Sequence, residues 1–371
     1  MSQKGQDARF MALALSLGAR GMGQCWPNPA VGCVIVRDGR IVGRGWTQPG
    51  GRPHAEVVAL AKAAEAARGA TAYVTLEPCA HTGQTPPCAS ALIAAGVARV
   101  VTALQDPDPR VDGGGHAMLR AAGIAVETGV LADRAERAHR GFLLARRAGR
   151  PMVTLKLAGS FDGRIALATG ESQWITGPEA RRYVHALRAR HDAVMVGAGT
   201  ARADDPSLTV RDIGVARQPV RIVCSRRLDL PLDGKLARTA RDVPVWLLHG
   251  PDAPAERCAA WAELGARLIP VDTGTTRQIE PAAMLRALGE TGLTRVFCEG
   301  GGAFAASLLN AGLVDELVGF TAGLAIGAEG TPALGVMGLE RLADAHRFHL
   351  VEARAIGNDV LHRWERSGAV G

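Results

Sequence analysis

Aromatic side chains are scarce in this 371-residue chain: Phe, Trp and Tyr together make up 4% of it, and only 2 residues are Tyr. Its cores are therefore expected to be built from Ala, Val and Leu, and it offers few rings on which nucleobases stack. Long basic runs are also missing. The net charge is +7, yet no run of Lys and Arg exceeds two, and the pairs Arg146-Arg147, Arg181-Arg182 and Arg226-Arg227 lie in different segments. Arginines scattered in this way suit a small anionic substrate and cofactor better than a nucleic-acid backbone. No apolar run reaches membrane-spanning length, and the short Ala-Leu run after Arg9 lacks a secretory cleavage pattern. The 7 cysteines are odd in number and irregularly spaced, which does not suggest a disulfide framework. The expectation is a soluble, cytoplasmic enzyme of two or three domains, with no nucleic-acid or membrane partner.

What is present concentrates between Gly51 and Cys88. His54-x-Glu56 opens a helical pattern in which Val57, Val58, Leu60, Ala61, Ala64 and Ala67 recur without Gly or Pro before Gly69. After one strand-like run come Pro78-Cys79, then Pro86-Pro87-Cys88, a second helix start. Taken singly, such a His is usually a cap and such a Cys a small core residue. In this order they form a three-ligand zinc set, His54, Cys79 and Cys88, with one tetrahedral corner open for water. Zinc brings the pKa of a bound water toward neutrality. Glu56, two residues from the imidazole, is placed to take that proton and give it to departing ammonia. A cysteine at a helix N-terminus favours the thiolate that a metal needs. His-x-Glu followed by Pro-Cys and a further Cys is the signature of zinc nucleobase deaminases. Eight residues, Ala80 to Pro87, separate the two cysteines. They carry His81, a rival ligand in Cys-x-His spacing that would close the open corner.

Around this stretch the pattern alternates. Trp26-Pro27-Asn28-Pro29 is a turn in which Asn28 either orders the backbone or meets a substrate edge. Ala30 to Val36 and Ile41 to Trp46 read as a hairpin through Asp38-Gly39. Val97 to Leu104, the GGGHAMLRAAG run, IAVETGV and Asp133 to Arg147 follow as strand, helix, strand and helix, which indicates a three-layer α/β domain. Charged residues, then Gly149 and Pro151, mark a boundary. Beyond it, Val153, Leu155 and Leu157 alternate with Thr154 and Lys156, a strand from which Lys156 can reach a cleft. A helix from Pro178 carries His185, Arg188 and Arg190. Ala193 to Val196 is a strand ending in Gly197-Ala198-Gly199-Thr200, and Ala203 to Arg211 reads as a turn. Val220 to Cys224, Val245 to Leu248 and Arg267 to Val271 are further strands. A strand ending at Glu299, three glycines and a helix start make an anion site suited to a dinucleotide phosphate. Gly300, Gly302 and Ala305 match G-x-G-x-x-A, but so late in the chain that a true Rossmann unit is not expected. Ile269, Leu313, Val314 and Leu317 are candidates either for core or for the interface of an expected homo-oligomer.

GRPHAEVVAL, TLEPCAHTGQTPPC and CWPNPAVGCVIV resemble the deaminase half of the bifunctional deaminase–reductases of riboflavin biosynthesis. KLAGSFDGRIA, GESQWITG, GAGTARADDPSLTVR and EGGGAFAASLL resemble the reductase half. The resemblance implies a cytidine-deaminase-like three-layer α/β/α domain at residues 1–148. It implies a dihydrofolate-reductase-like α/β domain at 149–371, with Zn²⁺ and NADPH as cofactors. It also implies that Ala158, Trp174, Thr200, Asp204, Ser225, Gly301, Gly302, Ala303, Phe304, Ala305, Ala306 and Ser307 touch NADP. Asn28, Lys156, Ser172, Arg188, Leu208, Arg211 and Glu299 would hold a phosphorylated pyrimidine, and Lys156 and Asp204 are candidates for proton handling during reduction. Gln84 departs from the family, which implies Arg or Lys there. The expected activity is hydrolytic deamination of a phosphoribosylamino-pyrimidine, then reduction of its ribosyl chain to ribityl, with the phosphate contact in the first site left open. The alternative is a zinc nucleobase deaminase with an inactive or regulatory partner domain.

Overall fold

The computed structural model describes residues 2–83, 86–274 and 277–367. The chain divides into two compact units, Met1–Gly149 and Arg150–Gly371. Among the described residues, no helix is long and apolar enough to cross a membrane.

The first unit is built on β1 (Gly32–Arg37), β2 (Arg40–Trp46), β3 (Thr71–Val74), β4 (Arg99–Thr102) and β5 (Ala125–Glu127), in the order β2-β1-β3-β4-β5. The β1–β2 and β1–β3 pairs are antiparallel, and β3, β4 and β5 run parallel. Asp38 and Gly39 both take positive φ in the β1–β2 turn, as a two-residue hairpin demands. Around the sheet lie α1 (Gln3–Gly18), α2 (Ala55–Ala63), α3 (Cys88–Ala94), α4 (Gly114–Ala121) and α5 (Ala132–Ala148). Alternation along β1 divides the core. Cys33 and Ile35 join Ala55, Ala59, Leu92 and Leu119 on one face; Val34 and Val36 join Phe10, Met11, Ala14 and Ala135 on the other. The result is three layers, from a strand buried on both faces. Gly43 and Gly45 set how α2 sits: a Cβ at either would stand 2.2 Å from the carbonyl oxygen of Ala59 or Ala55. The helix therefore lies directly on the β2 backbone.

The second unit contains β6 (Met152–Ser160), β7 (Arg164–Ala166), β8 (Ala193–Gly197), β9 (Val220–Cys224), β10 (Val245–His249) and β11 (Arg267–Pro270). After these come β12 (Arg295–Gly300), β13 (Glu316–Ala322), β14 (Thr331–Pro332), β15 (Phe348–Ile356) and β16 (Asp359–Arg366). Nine of them form one sheet, β11-β10-β9-β8-β12-β6-β13-β16-β15, while β7 and β14 pair separately. From β11 to β13 the pairings are parallel, and β16 and β15 close the sheet antiparallel. The helices are α6 (Pro178–Ala189), α7 (Ala198–Asp204), α8 (Lys235–Arg238), α9 (Ala255–Glu263), α10 (Pro281–Glu290) and α11 (Gly302–Asn310). Strands β8 and β9 are buried along their whole length, the expected state of parallel strands covered on both faces.

One reading of the sequence needs correction here, and one open alternative is decided. The turn read from Ala203 to Arg211 starts later than expected: Ala203 and Asp204 close helix α7, in which Ala198, Ala201 and Ala203 are strong helix formers that outweigh Gly199. Ile269 and Val314 are buried within this unit, so those two belong to core rather than to a subunit surface.

Candidate functional site

In the first unit, His54 is the N-cap residue of α2 and Glu56 lies in its first turn. Cys79 follows β3 in the chain, and Cys88 opens α3 behind Pro87. His54 Nδ1 stands 3.3 Å from Cys88 Sγ and 3.8 Å from Cys79 Sγ, and the three donor atoms all lie within 4.8 Å of one another. Tetrahedral zinc at ordinary bond lengths holds its nitrogen and sulfur ligands about 3.6 Å apart. Spacing and donor chemistry therefore both fit zinc. His81 is not part of the cluster, although it lines the same cavity.

The Cys88 backbone N–H donates to Cys79 Sγ at 3.3 Å. Hydrogen bonding from the Cys88 thiol, aided by His54, holds Cys79 down to about 4, and the same bond together with burial pushes Cys88 up. One sulfur is thus a ready thiolate, and the other releases its proton when metal binds. Burial pushes Glu56, only 3% exposed, up to about 7 against the pull of His54. A carboxyl poised there can both take and return a proton near neutral pH. Cys79→Ser should release zinc. Loss of outer-shell partners alone costs roughly 10- to 100-fold in metal affinity, so removal of a ligand should cost more. Metal analysis of the purified variant checks this, and an unchanged zinc content would remove Cys79 from the set.

His54, Glu56 and Cys79 line a cavity of about 130 Å³. Asn28 lines it too, while its amide donates to Gly51 O at 2.9 Å and so holds the approach to His54. Sequence reasoning missed the opposite wall. Glu77 accepts the backbone N–H groups of Asp106, Gly113 and His116 at 3.2, 3.0 and 3.0 Å. This fixes the loop that brings Asp106, Asp108 and Arg110 to the cavity. Burial pushes Asp106 up to about 6. The available signal was Asp106-Pro107-Asp108-Pro109 just past the carboxyl end of β4, where parallel sheets hold ligands. Gln84 lies outside the described residues.

The second unit holds a cavity of about 540 Å³ past the carboxyl ends of β6, β8 and β12, within the usual range for a ligand pocket. Lys156, Ala158, Ser172, Trp174, Arg188 and Thr200 line it, as do Asp204, Leu208, Arg211, Glu299, Gly301 and Gly302. The other expected cofactor contacts are not among its lining residues. Ser225 is buried and its hydroxyl donates to Asp229 at 3.1 Å. Within α11, Ala305 and Ala306 are buried in the core, Phe304 packs on Gly197, and Ser307 Oγ donates to Phe304 O at 2.8 Å. Ala303 is exposed. The helix that carries these five turns most of them toward the sheet.

Gly301 takes φ +93°, and a Cβ there would stand 2.7 Å from Thr200 Oγ1. The turn is a bare-backbone cradle of the kind a dinucleotide phosphate approaches closely, so size and cradle both fit NADPH. Arg188 donates from Nε and Nη2 to Glu299 at 2.5 and 2.9 Å and from Nη1 to Thr209 O at 2.7 Å. It braces the site, with its donors largely spent. Burial would push Glu299 up, but Arg188 overcomes this and holds its carboxyl below the usual range. Burial lowers Lys156 despite Glu299 nearby, and raises Asp204. Arg211 is more exposed; its backbone N–H donates to His185 Nδ1 at 3.2 Å, and its Nη1 to Thr209 Oγ1 at 3.2 Å. His185, also in this wall, was read from sequence only as a helix residue.

The family model described as the cytidine and deoxycytidylate deaminase zinc-binding region matches residues 4–104, and that described as the RibD C-terminal domain matches residues 151–362. The riboflavin biosynthesis protein RibD of Escherichia coli K12 is 45% identical, over 96% of this chain and 99% of its own. That of Haemophilus influenzae is 42% identical, over 96% of each. A solved structure of RibD from Acinetobacter baumannii superposes with a TM-score of 0.87 at 38% identity, covering 99% of this chain and 100% of that one. A Thermotoga maritima structure described as a diaminohydroxyphosphoribosylaminopyrimidine deaminase/5-amino-6-(5-phosphoribosylamino)uracil reductase reaches 0.86 at 31% identity, covering 98% and 100%. Sequence, fold and the two cavities agree: the chain belongs to the RibD family of bifunctional riboflavin biosynthesis enzymes, with a zinc-binding deaminase domain followed by an NADPH-dependent reductase domain.

Proposed function

We propose that the cavity of the first unit hydrolyses the ring amine of a phosphoribosylamino-pyrimidine, and that the second unit then reduces the ribosyl chain of the product to ribityl. The observation that carries the first step is a buried Glu56 in the same small cavity as His54 and Cys79. His54, Cys79 and Cys88 would hold zinc, which when bound would bring the pKa of a water near neutrality. Glu56 would take a proton from the attacking water and return it to the leaving amine, and Asn28 and Asp106 would face the ring. In the second cavity, Gly301, Gly302 and Thr200 would hold NADPH, which would supply the reducing equivalents. Arg211 draws in the phosphate, Arg188 and Glu299 orient the sugar, and Lys156 with Asp204 handles the proton. Supplying the aminopyrimidine with NADPH should release ammonia and oxidise NADPH in equal amounts. Ammonia without NADPH oxidation would favour a deaminase with an inactive partner domain.

The chain acts in the cytoplasm without a nucleic-acid partner, in keeping with its dispersed arginines. It works as a homo-oligomer: β15 ends the nine-stranded sheet with Leu350 and Val351 about half exposed, at 52% and 45%, and the free side of an edge strand can pair with another chain. Retention on oligonucleotides at low salt, or a monomer mass at micromolar concentration, would overturn these two points respectively.

A further inference from the structure

We propose that Arg110 and Arg146 form the subsite that takes the phosphate of the deaminase substrate. The proposal rests on the function read above and adds to it a contact that neither the zinc set nor Glu56 supplies. At about 130 Å³ the cavity is smaller than pockets that enclose a whole drug-sized ligand. With the pyrimidine ring at Glu56, the phosphoribosyl group is expected toward the mouth, and the groups there decide how the phosphate is held.

Two of the groups lining this cavity are guanidiniums gathered on one carboxylate. Asp108 Oδ2 meets Arg110 Nη2 at 2.6 Å and Arg146 Nε at 3.6 Å, while Asp108 Oδ1 accepts from Arg110 Nε at 2.9 Å. Because both cations meet on the same oxygen, they are neighbours, close enough for one phosphate to bridge. Asp108 is itself fixed: its side chain is 7% exposed, and its backbone N–H donates to Asp106 Oδ1 at 2.9 Å. The arginine side chains reach outward from this buried anchor, Arg110 at 61% and Arg146 at 33% exposure. Arg146 also lies over the Phe142 ring at 5.3 Å, a cation–π contact.

The charge balance at the rim favours an anion. One carboxylate serves two guanidiniums, so the group carries a net positive charge before substrate arrives. Asp108 is held down to about 2, by Arg110 first, and so stays ionised as an anchor at any working pH. The other two acids of this wall are engaged by backbone donors: Glu77 accepts three N–H groups, and Asp106 accepts the Asp108 backbone N–H. Arg110 Nη1 and both terminal nitrogens of Arg146 have no partner among the described residues. Planar guanidinium donors of this kind match phosphate geometry. The ligand class is a phosphate monoester on a pyrimidine riboside.

The test compares the phosphorylated substrate with its dephosphorylated counterpart in the deaminase reaction of the full zinc-loaded chain, for wild type, Arg110→Gln and the Arg110→Gln/Arg146→Gln pair. Loss of charge-assisted hydrogen bonds should raise KM for the phosphorylated substrate roughly 10- to 100-fold, with a much smaller effect on kcat. KM for the dephosphorylated substrate should be equal in all three proteins. Inorganic phosphate should inhibit the wild type competitively and the double variant more weakly by a similar factor. Zinc content and reductase turnover report whether the variants fold. Equal KM for the phosphorylated substrate in all three overturns the subsite, and so does an equal rise for both substrates, which marks a structural role. A zinc-loaded wild type that deaminates neither substrate refutes the functional reading itself, and the subsite falls with it.

Discussion

Glu56→Gln should abolish deamination while leaving zinc in place. The carboxyl is buried in the first turn of α2, and burial has raised it to about 7, so a neutral amide of the same shape fits without a new charge to desolvate. What the amide cannot do is accept a proton from water. General acid–base catalysis by one positioned group is worth roughly 10²- to 10⁴-fold, and kcat for ammonia release should fall by that factor. Metal analysis should return the wild-type zinc content, and NADPH-dependent reduction of separately supplied deaminated substrate should continue. Normal ammonia release by the zinc-loaded variant would remove Glu56 from the proton path.

Gly301→Val should have the mirror-image effect, weakening NADPH while sparing deamination. Two costs coincide at this position. The backbone sits at φ +93°, where a β-branched residue is a true outlier. The added Cβ would also meet Thr200 Oγ1 at 2.7 Å. Backbone strain of this kind costs of order 1–3 kcal/mol, and a side chain filling the cradle keeps the cofactor's phosphates from the backbone N–H groups. An NADPH titration should show affinity lower by about 10- to 100-fold. Unchanged affinity would reduce the glycine turn to a packing device.

How much of this was legible in sequence follows from how local each signal is. The zinc donors and Glu56 were readable because each sits at a helix start that marks itself, His54-x-Glu56 before an alanine-rich run and Pro86-Pro87-Cys88 before another. Hairpin β1–β2 and strands β8 to β10 were readable from turn residues and buried runs. The Arg110–Asp108–Arg146 group was not, because it joins the loop after β4 to α5 and exists only once Glu77 has pinned that loop. The double duty of Arg188 was invisible for the same reason: Glu299 lies 111 positions away in sequence. Helix α7 was not read because Gly197 and Gly199 break the pattern at its start and Asp204-Asp205-Pro206 signals a turn at its end, which leaves too short a run for a helical period to show. Family resemblance carried cofactor contacts onto residues 301–307 as a block, of which Gly301, before α11, and Gly302, its first residue, line the cavity.

The two bare positions on β2 have an effect that reaches beyond packing. Because Gly43 and Gly45 let the carbonyls of Ala59 and Ala55 rest against the strand, the β2 main chain is the platform that sets the height of His54 and Glu56. One methyl at either position would have to lift that end of α2 by an ångström or more, and reacting groups must be placed to tighter tolerances than that. Alanine at these sites should thus mimic an active-site lesion, although neither position lines the cavity.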